Sequence, residues 1–299
     1  MGAGAMAEHA IPVDLFNPGQ VFACLGLLEA AEVLLGEAEG GFDWSNEGNV
    51  NFHLRAEGEQ NPVAEVLAFL AEAEVFSQAP HGSALSTEKW DVPGPPPEGH
   101  RPPDEYPFPV PRSPATCVAL LRDRSGRELT IDHWGDATER DNVKFWAGAA
   151  GYPGAALLRD ALDLIRSQLA AAGDDPFAVS APQSSSFRFD WRRDYIPLEV
   201  GFSPNIHGDI TMLGFPLVEI LAAIGLGASR PRRIEKLEYI YGVIGTDGQP
   251  VYYPLVLLRA ALGAPALPFP CRFFRMHLGW PGQENQARCI LDVTEEVET

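Results

Sequence analysis

The sequence predicts an α+β fold in which mixed or antiparallel sheets carry packed helices. Segments with apolar residues at helical spacing alternate irregularly with segments in which apolar and polar residues alternate one by one. Segments of the second kind occur mostly in pairs separated by short turns, as in antiparallel hairpins. The sequence has no repeat of solenoid period, and it lacks the regular strand-helix alternation of a doubly wound parallel sheet.

The N-terminal part begins with a helix followed by a hairpin. Residues 19–35 carry apolar side chains at helical spacing, and Asn17 followed by Pro18 is a favourable helix N-terminus. Apolar residues then alternate on both sides of a turn at 46–48, which predicts a β-hairpin. A second amphipathic helix is predicted over 62–76, where apolar residues return to helical spacing.

The middle of the chain contains a proline-rich segment, 79–114, which cannot hold regular structure over its whole length. We expect it to form a linker or a long surface loop. A second hairpin is predicted around the turn at 124–126. A third helix is expected to begin near Asn142, to be interrupted at 151–154 and then to continue.

The C-terminal part combines strands with one further helix, which is expected to open at Pro216. Its predicted strands are 185–191, 197–203, 237–244, 271–280 and 287–296. By sequence alone the chain divides into an N-terminal α+β part (1–78), the proline-rich segment (79–114), a hairpin-plus-helix part of the N-terminal domain (115–180) and a C-terminal α+β part (181–299).

The chain is strongly acidic, with 41 acidic and 22 basic side chains and a net charge of −19. This charge argues against a protein that coats nucleic acid non-specifically. The acidic excess is uneven: residues 1–180 hold 28 acids and 11 bases, whereas residues 181–299 hold 13 acids and 11 bases. We therefore expect any contact with a polyanion in the C-terminal part. The acidic residues 1–180 can face water or a basic partner.

Composition also predicts where the protein works. A hydrophobic content of 45% supports a real core, but no stretch approaches the roughly 20 uninterrupted apolar residues of a membrane helix. The first residues lack the features of a signal peptide, so we expect a cytoplasmic protein without membrane contact. The four cysteines are far apart without a C-x-x-C pair, which predicts buried free thiols: Cys24, Cys117, Cys271 and Cys289.

Motifs of known enzyme classes are absent from the sequence. It contains no P-loop, no G-x-G-x-x-G between a strand and a helix, and no G-x-S-x-G nucleophile elbow. Two short polar groups remain as candidates for a metal-dependent nuclease: Asp132 and Asp136 with His133, and His207 with Asp209. The first group has no third acid at a telling distance to support it, and a strand end or turn stabilised by polar caps is the simpler interpretation of both groups. We expect a non-catalytic chain without a cofactor.

Arginines and aromatic residues are combined in three segments of the C-terminal part, 187–193, 230–236 and 272–275. Guanidinium groups bind phosphate in a bidentate manner, and neighbouring rings can stack on bases. Alternatively, Arg188 and Arg192 pair with Asp190 or other acids of the chain, while Phe189 is either a stacking or a core ring. The predicted nucleic-acid contacts are Arg188, Trp191, Arg192, Arg193, Arg230, Arg232, Arg233, Lys236, Arg272 and Arg275.

The same segments carry a family resemblance. The stretches SFRFDWRRDYIPLEVGFSP (186–204) and FPLVEILAAIGLGASRPRR (215–233) resemble CRISPR-associated effector subunits of type I-G, formerly type I-U, systems. The stretch VKFWAGAAGYPGAALLRDAL (143–162) is similar to a WAG segment before a helix in that family. Residues 14–36 and 271–290 are similar as well, so the resemblance covers most of the chain outside the proline-rich segment.

The resemblance implies a non-catalytic subunit of a Cascade-type surveillance complex, which carries a guide RNA and opens matching DNA. The large-subunit type is implied to sense the protospacer-adjacent motif and to help recruit the helicase-nuclease. A backbone-type subunit would instead have a ferredoxin-like core of the RNA-recognition type. Implied partners are other effector subunits, guide RNA or target DNA, and the helicase-nuclease. The alternatives are a metal-dependent nuclease accessory to the same defence system and an adaptor that contacts only protein.

Overall fold

A computed structural model describes residues 5–46, 48–78, 87–94, 119–131, 153–183, 185–192, 212–227, 229–263, 266–279 and 289–296. The helices are α1 (Pro18–Leu35), α2 (Pro62–Glu72), α3 (Gly154–Ile165), α4 (Pro216–Gly225) and α5 (Leu255–Gly263). The strands are β1 (Met6–Pro12), β2 (Ala38–Asp43), β3 (Asn51–Glu57), β4 (Glu74–Ser77), β5 (Ala119–Arg122), β6 (Glu128–Ile131), β7 (Ala181–Pro182), β8 (Leu213–Gly214), β9 (Arg232–Glu235), β10 (Glu238–Thr246), β11 (Cys271–Gly279) and β12 (Cys289–Glu296). These elements confirm the predicted α+β class.

The main sheet is mixed and has the strand order β1-β3-β2-β10-β11-β12, with β9 beside β10. Its pairs are antiparallel except for β2 with β10, which run parallel where Phe42 faces Gly245. The order β1-β3-β2 around α1 is the split β-α-β arrangement that opens a ferredoxin-like fold. The strand after α2, however, pairs with β5 in a second sheet, β4-β5-β6. It therefore does not complete a ferredoxin-like sheet.

Helix α1 lies at the centre of the core, between the main sheet and α4. Every residue from 18 to 28 is buried, Phe22 meets Tyr241 of β10 edge-on at 5.9 Å, and the Tyr241 hydroxyl donates to the Leu15 carbonyl at 2.6 Å. Among the described helices, α1 alone has the length and hydropathy for a membrane span, but most of it is enclosed by the rest of the chain. The fold is therefore compatible with a soluble protein.

Several predicted elements are confirmed and two need correction. The first helix, both N-terminal hairpins, the helix at Pro216 and the last three strands lie where the sequence places them. The second helix ends at Glu72 and is followed by β4, so its predicted last turn is a strand. The segment 185–191 is irregular, not a strand, because the backbone amides of Phe189 and Asp190 donate to the Glu219 carboxylate and not to a neighbouring strand.

Part of the proline-rich segment lies against the body of the protein. Residues 87–94 contain a short 3-10 helix, and the side chains of Thr87 and Val92 are buried. Arg159 of α3 donates to the Trp90 carbonyl at 2.8 Å, and the Ser77 amide donates to the Pro93 carbonyl at 2.8 Å. The remainder of the segment, the predicted helix start near Asn142 and the predicted strand 197–203 lie outside the described residues.

The turn between β5 and β6 is organised by the carboxylate of Asp123. It accepts hydrogen bonds from the amide and hydroxyl of Ser125 and from the amide and Nε of Arg127, at 2.7 to 2.9 Å. Burial raises the pKa of Asp123, but these hydrogen bonds and the Arg127 charge outweigh burial and lower the pKa to about 2. The ionised carboxylate is therefore part of the turn.

Asp123→Asn is expected to lower the free energy of unfolding by about 1 to 2 kcal/mol at neutral pH, because the amide cannot accept all four hydrogen bonds. The folded-state pKa lies below the unfolded value near 3.9, so the stabilisation is present above about pH 4 and is lost as pH falls toward 2. Urea unfolding of both proteins between neutral pH and pH 3 measures it. Asp247→Asn, at an exposed aspartate in another turn, is the control. A difference that does not shrink on acidification contradicts the assignment.

Candidate nucleic-acid interface

Arg192 is held by a buried carboxylate at the end of the irregular segment. Asp190 is 0% exposed, and it accepts from the Arg192 amide at 2.9 Å and from its guanidinium at 2.5 to 3.1 Å. The same guanidinium donates to the Phe177 carbonyl at 2.8 Å and lies 3.5 Å from the centroid of the Phe215 ring. Arg192 therefore pairs with Asp190, which the sequence analysis gives as the alternative to phosphate contact.

Arg272 and Arg275 are likewise paired within the main sheet. Arg272 donates in bidentate fashion to Glu295 of the adjacent strand, at 2.6 and 2.7 Å. Arg275 binds both Glu238 and Glu296, and the hydrogen bond from Arg275 lowers the pKa of Glu296. A phosphate would have to compete with these carboxylates for the two guanidinium groups.

The other residues of the segment 187–193 that were considered for nucleic-acid contact lie in different environments. Arg188 is half-buried and has a φ of 68°, a left-handed conformation that is uncommon outside glycine. Phe189 is 1% exposed and stacks on Phe187 with ring centroids 5.9 Å apart, so it is a core ring. Trp191 is 40% exposed. Arg193 lies outside the described residues.

Arg230, Arg232, Arg233 and Lys236, here called the basic cluster, lie on and beside β9. Arg230, Arg232 and Lys236 are exposed, and the half-buried Arg233 donates through Nε to the Glu235 carbonyl at 3.0 Å. Two acids lie beside the cluster: Glu235 of β9 is exposed, and Glu238 of β10 binds Arg275. Of the described strands, β9 pairs only with β10. The exposed members of the basic cluster therefore lie at an edge of the sheet that no other described strand covers.

Arg192 and Arg272 also line a cleft of about 410 Å³. Its rim carries the half-exposed Phe16, which meets Phe274 edge-on at 5.2 Å, and the acids Asp14 and Asp175. Because both arginines are paired with carboxylates and two more acids line the wall, the cleft does not offer a net positive charge. It is a poor receptor for phosphate.

The nuclease candidates Asp132, His133, Asp136, His207 and Asp209 lie outside the described residues, so that prediction is untested. Within the described ranges no three His, Cys, Asp or Glu side chains are arranged to hold a metal ion.

Three of the four cysteines lie in the described part of the chain. Cys24 and Cys289 are free and buried, and Cys271 is partly buried, whereas Cys117 lies outside the described ranges. Burial raises the pKa of the Cys24 and Cys289 thiols, which keeps these two cysteines protonated and unreactive. The prediction of buried free thiols is confirmed for Cys24 and Cys289, whereas Cys271 is only partly buried.

Two polar features of the C-terminal part escaped prediction. Glu219 is 1% exposed, and its carboxylate connects α4 to the irregular segment. The sequence feature that could have indicated this role is a single acid inside an otherwise apolar helix. Arg259 of α5 has a side chain 15% exposed and pairs with Glu29 of α1. It is an isolated arginine, and nothing near it in sequence indicates this partner.

No protein family, no curated protein and no solved structure matches this chain.

Proposed function

We propose that the chain is a non-catalytic subunit of a type I CRISPR surveillance complex that contacts guide RNA or target DNA through the basic cluster. The observation that carries this proposal is the contrast among the predicted cations. Arg192, Arg272 and Arg275 are occupied by carboxylates of the chain, whereas three of the four members of the basic cluster are exposed. Exposed, clustered guanidinium and ammonium groups are the side chains that bind a phosphate backbone.

The strong acidity of the rest of the chain supports a limited contact with nucleic acid. A net charge of −19 repels a polyanion from most of the surface, so binding would be confined to the basic cluster, and the acidic surface would face other effector subunits. In complexes of this kind base pairing reads the sequence, and protein subunits supply charge and shape. The sequence resemblance to type I-G subunits is the basis for proposing this assembly. We also propose the helicase-nuclease as a further partner and the cytoplasm as the location of the complex.

Reversing two charges of the basic cluster is expected to weaken binding of short RNA or DNA about 10- to 100-fold at low salt. The variant is Arg232→Glu with Lys236→Glu, both exposed. Fluorescence anisotropy over a salt series measures it. The slope of log affinity against log salt is expected to fall by about one for each phosphate group that the variant no longer binds.

The matched control reverses the same two residue types elsewhere: Arg124→Glu with Lys89→Glu, which are also exposed. Both double variants have the same net charge, so a general electrostatic effect weakens binding equally in the two. Equal loss, or no loss in either variant, contradicts the role of the basic cluster. Circular dichroism verifies that both variants are folded.

Assembly is tested by purifying the tagged chain from its host. Recovery of a guide-length RNA with several CRISPR-associated subunits supports the proposal. Protein partners without RNA would indicate an adaptor that contacts protein only. Divalent-metal-dependent cleavage that is lost in Asp132→Ala would indicate the nuclease.

A further inference from the structure

The cleft of about 410 Å³ that Arg192 and Arg272 line, here called the acidic cleft, has an excess of negative charge. Each of the two arginines is paired with a carboxylate of the chain, so the two pairs are neutral overall. Two further acids, Asp14 and Asp175, line the cleft. The partner carboxylates and these two acids together outnumber the arginines, and the cleft therefore attracts a cationic group.

The carboxylates of Asp14 and Asp175 are available to a ligand. Both residues are exposed, and neither forms a salt bridge with another described residue. One oxygen of Asp14 accepts from the Phe16 amide at 2.9 Å, which leaves its second oxygen for a ligand. Asp175 precedes the 3-10 helix Pro176–Ala178, but its side chain accepts no capping hydrogen bond there. Both carboxylates can therefore accept hydrogen bonds from a cationic donor.

A buried side-chain amide lines the same cleft. Gln20 is 5% exposed. Its Oε1 accepts from the Asp14 amide at 2.7 Å, which identifies the oxygen and leaves Nε2 as the other end of the side-chain amide. Nε2 has no acceptor among the described residues. Because a buried donor without an acceptor costs free energy, a ligand that brings an acceptor oxygen complements this end of Gln20.

An aromatic ring completes the lining, since Phe16 is 39% exposed. A guanidinium group binds carboxylates in bidentate fashion and stacks on aromatic rings, and a peptide backbone adds a carbonyl oxygen that can accept from Gln20. A bare metal ion would use neither the ring nor the amide, and the described part of the chain holds no set of three metal ligands. A peptide that carries arginine therefore matches all three features of the cleft.

We propose that the acidic cleft receives an arginine-bearing peptide segment of a protein partner. The guanidinium group binds the carboxylates of Asp14 and Asp175 beside the Phe16 ring, and a backbone carbonyl of the segment accepts from Nε2 of Gln20. Arginine side chains that fill pockets are frequent anchors of protein interfaces. No residue of the basic cluster lines the cleft. The inference goes beyond the proposed function, because it assigns a second surface that requires no nucleic acid.

Asp14→Asn with Asp175→Asn is expected to weaken binding of an arginine peptide about tenfold, because neutral amides replace both carboxylates. The probe is a fluorescein-labelled peptide of alternating glycine and arginine. A second probe carries citrulline, which has the shape of arginine without its charge, and the unmodified chain is expected to bind it about tenfold more weakly. Fluorescence anisotropy with the full chain measures these affinities. Asparagine retains an oxygen for the Phe16 amide, so the fold is kept.

The matched control is Asp91→Asn with Asp247→Asn. Both aspartates are exposed, and neither lines the cleft. This double variant removes the same charge from the chain and is expected to keep the affinity for the arginine peptide within about twofold of the unmodified chain. The comparison therefore separates the cleft from the general attraction of a basic peptide to an acidic protein.

A second pair of variants places a positive charge inside or outside the cleft. Ala178 lines the cleft and Ala171 does not. Both are exposed and each is the last residue of a 3-10 helix, so an arginine at either position is compatible with folding. Ala178→Arg is expected to weaken binding of the arginine peptide about tenfold by repulsion and by filling the cleft, whereas Ala171→Arg changes it by less than about twofold.

The outcomes also separate this inference from the proposed function. Equal losses in the cleft variants and their controls, equal affinity for the arginine and citrulline peptides, or no binding of the arginine peptide overturns the cleft assignment and leaves the basic cluster untouched. Arg232→Glu with Lys236→Glu is expected to retain the affinity for the peptide. If the chain binds no nucleic acid while the cleft variants behave as expected, the proposed nucleic-acid contact fails and the cleft assignment stands.

Discussion

Asp190→Ala is expected to lower the free energy of unfolding by about 3 to 5 kcal/mol, because it leaves a guanidinium and an amide without their buried acceptor. Asp190 is fully buried. Its carboxylate accepts from Arg192 and from the Asn17 side chain, which donates at 3.0 Å. Urea unfolding followed by circular dichroism gives the free energy of unfolding of both proteins.

The expected loss is large because Asp190 joins three parts of the fold. Asn17 is also the N-cap of α1, where its side-chain oxygen accepts from the Gly19 amide at 3.1 Å. The Asp190 amide is bound by Glu219 of α4 at 3.1 Å. Removal of the Asp190 carboxylate therefore affects the α1 N-terminus, the irregular segment and the site of Arg192 together.

Asp163→Ala provides the control for this prediction. Asp163 pairs with Arg166 on the surface of α3 at 2.8 Å, and its side chain is 53% exposed. Surface pairs of this kind contribute less than about 1 kcal/mol. If Asp190→Ala and Asp163→Ala lower the free energy of unfolding by a similar, small amount, the buried hydrogen bonds of Asp190 contribute no more than an ordinary surface pair.

Arg192→Ala tests whether the arginine bound by Asp190 stabilises the fold or contacts phosphate. If Arg192 stabilises the fold and does not contact phosphate, its removal lowers stability while the folded variant retains its affinity for nucleic acid. The double variant with Asp190→Ala is expected to lose less than the sum of the two single losses, since both substitutions remove the same interaction. A loss of affinity without a loss of stability would return Arg192 to the interface.

Local sequence patterns predicted most of the fold. The N-cap at Asn17 and the hairpin turn at Asp123 depend on neighbours within a few residues, so their chemistry is visible in the sequence. The segment 185–191 was mispredicted because its amides bond to Glu219, about 30 residues further along the chain. Alternation of Phe187 and Phe189 shows that both rings share a buried face, but not which group accepts the backbone hydrogen bonds.

The sequence predicted which residue types form the candidate site, but not which of its arginines are paired with carboxylates. Sequence identified Arg272 and Arg275 alongside the basic cluster, yet their carboxylates come from other strands: Glu295 from β12 and Glu238 from β10. Sheet register, which sequence alone did not supply, decides which arginines are neutralised. The pairing of Arg259 of α5 with Glu29 of α1 likewise joins residues that are far apart in the sequence.

Gly26→Ala is expected to lower the free energy of unfolding by about 3 to 5 kcal/mol, although helix propensity alone predicts a gain of about 1 kcal/mol for alanine. A β-carbon at Gly26 would overlap the Leu221 carbonyl oxygen of α4. A β-carbon at Gly225 would reciprocally overlap the Phe22 carbonyl oxygen of α1. The two helices thus touch through their backbones, which cannot yield as a side chain can.

Gly94→Ala separates this steric effect from the general effect of replacing glycine. A β-carbon at Gly94 would meet nothing within 4 Å, so we expect stability within about 0.5 kcal/mol of the unmodified protein. If Gly26→Ala behaves like Gly94→Ala, α1 and α4 are not in backbone contact. If it is destabilised while Gly94→Ala is not, the close approach of these helices fixes the position of α4, and α4 in turn places Glu219 against the segment that holds Arg192. The packing of these two glycines therefore positions the segment that holds Arg192 inside the fold.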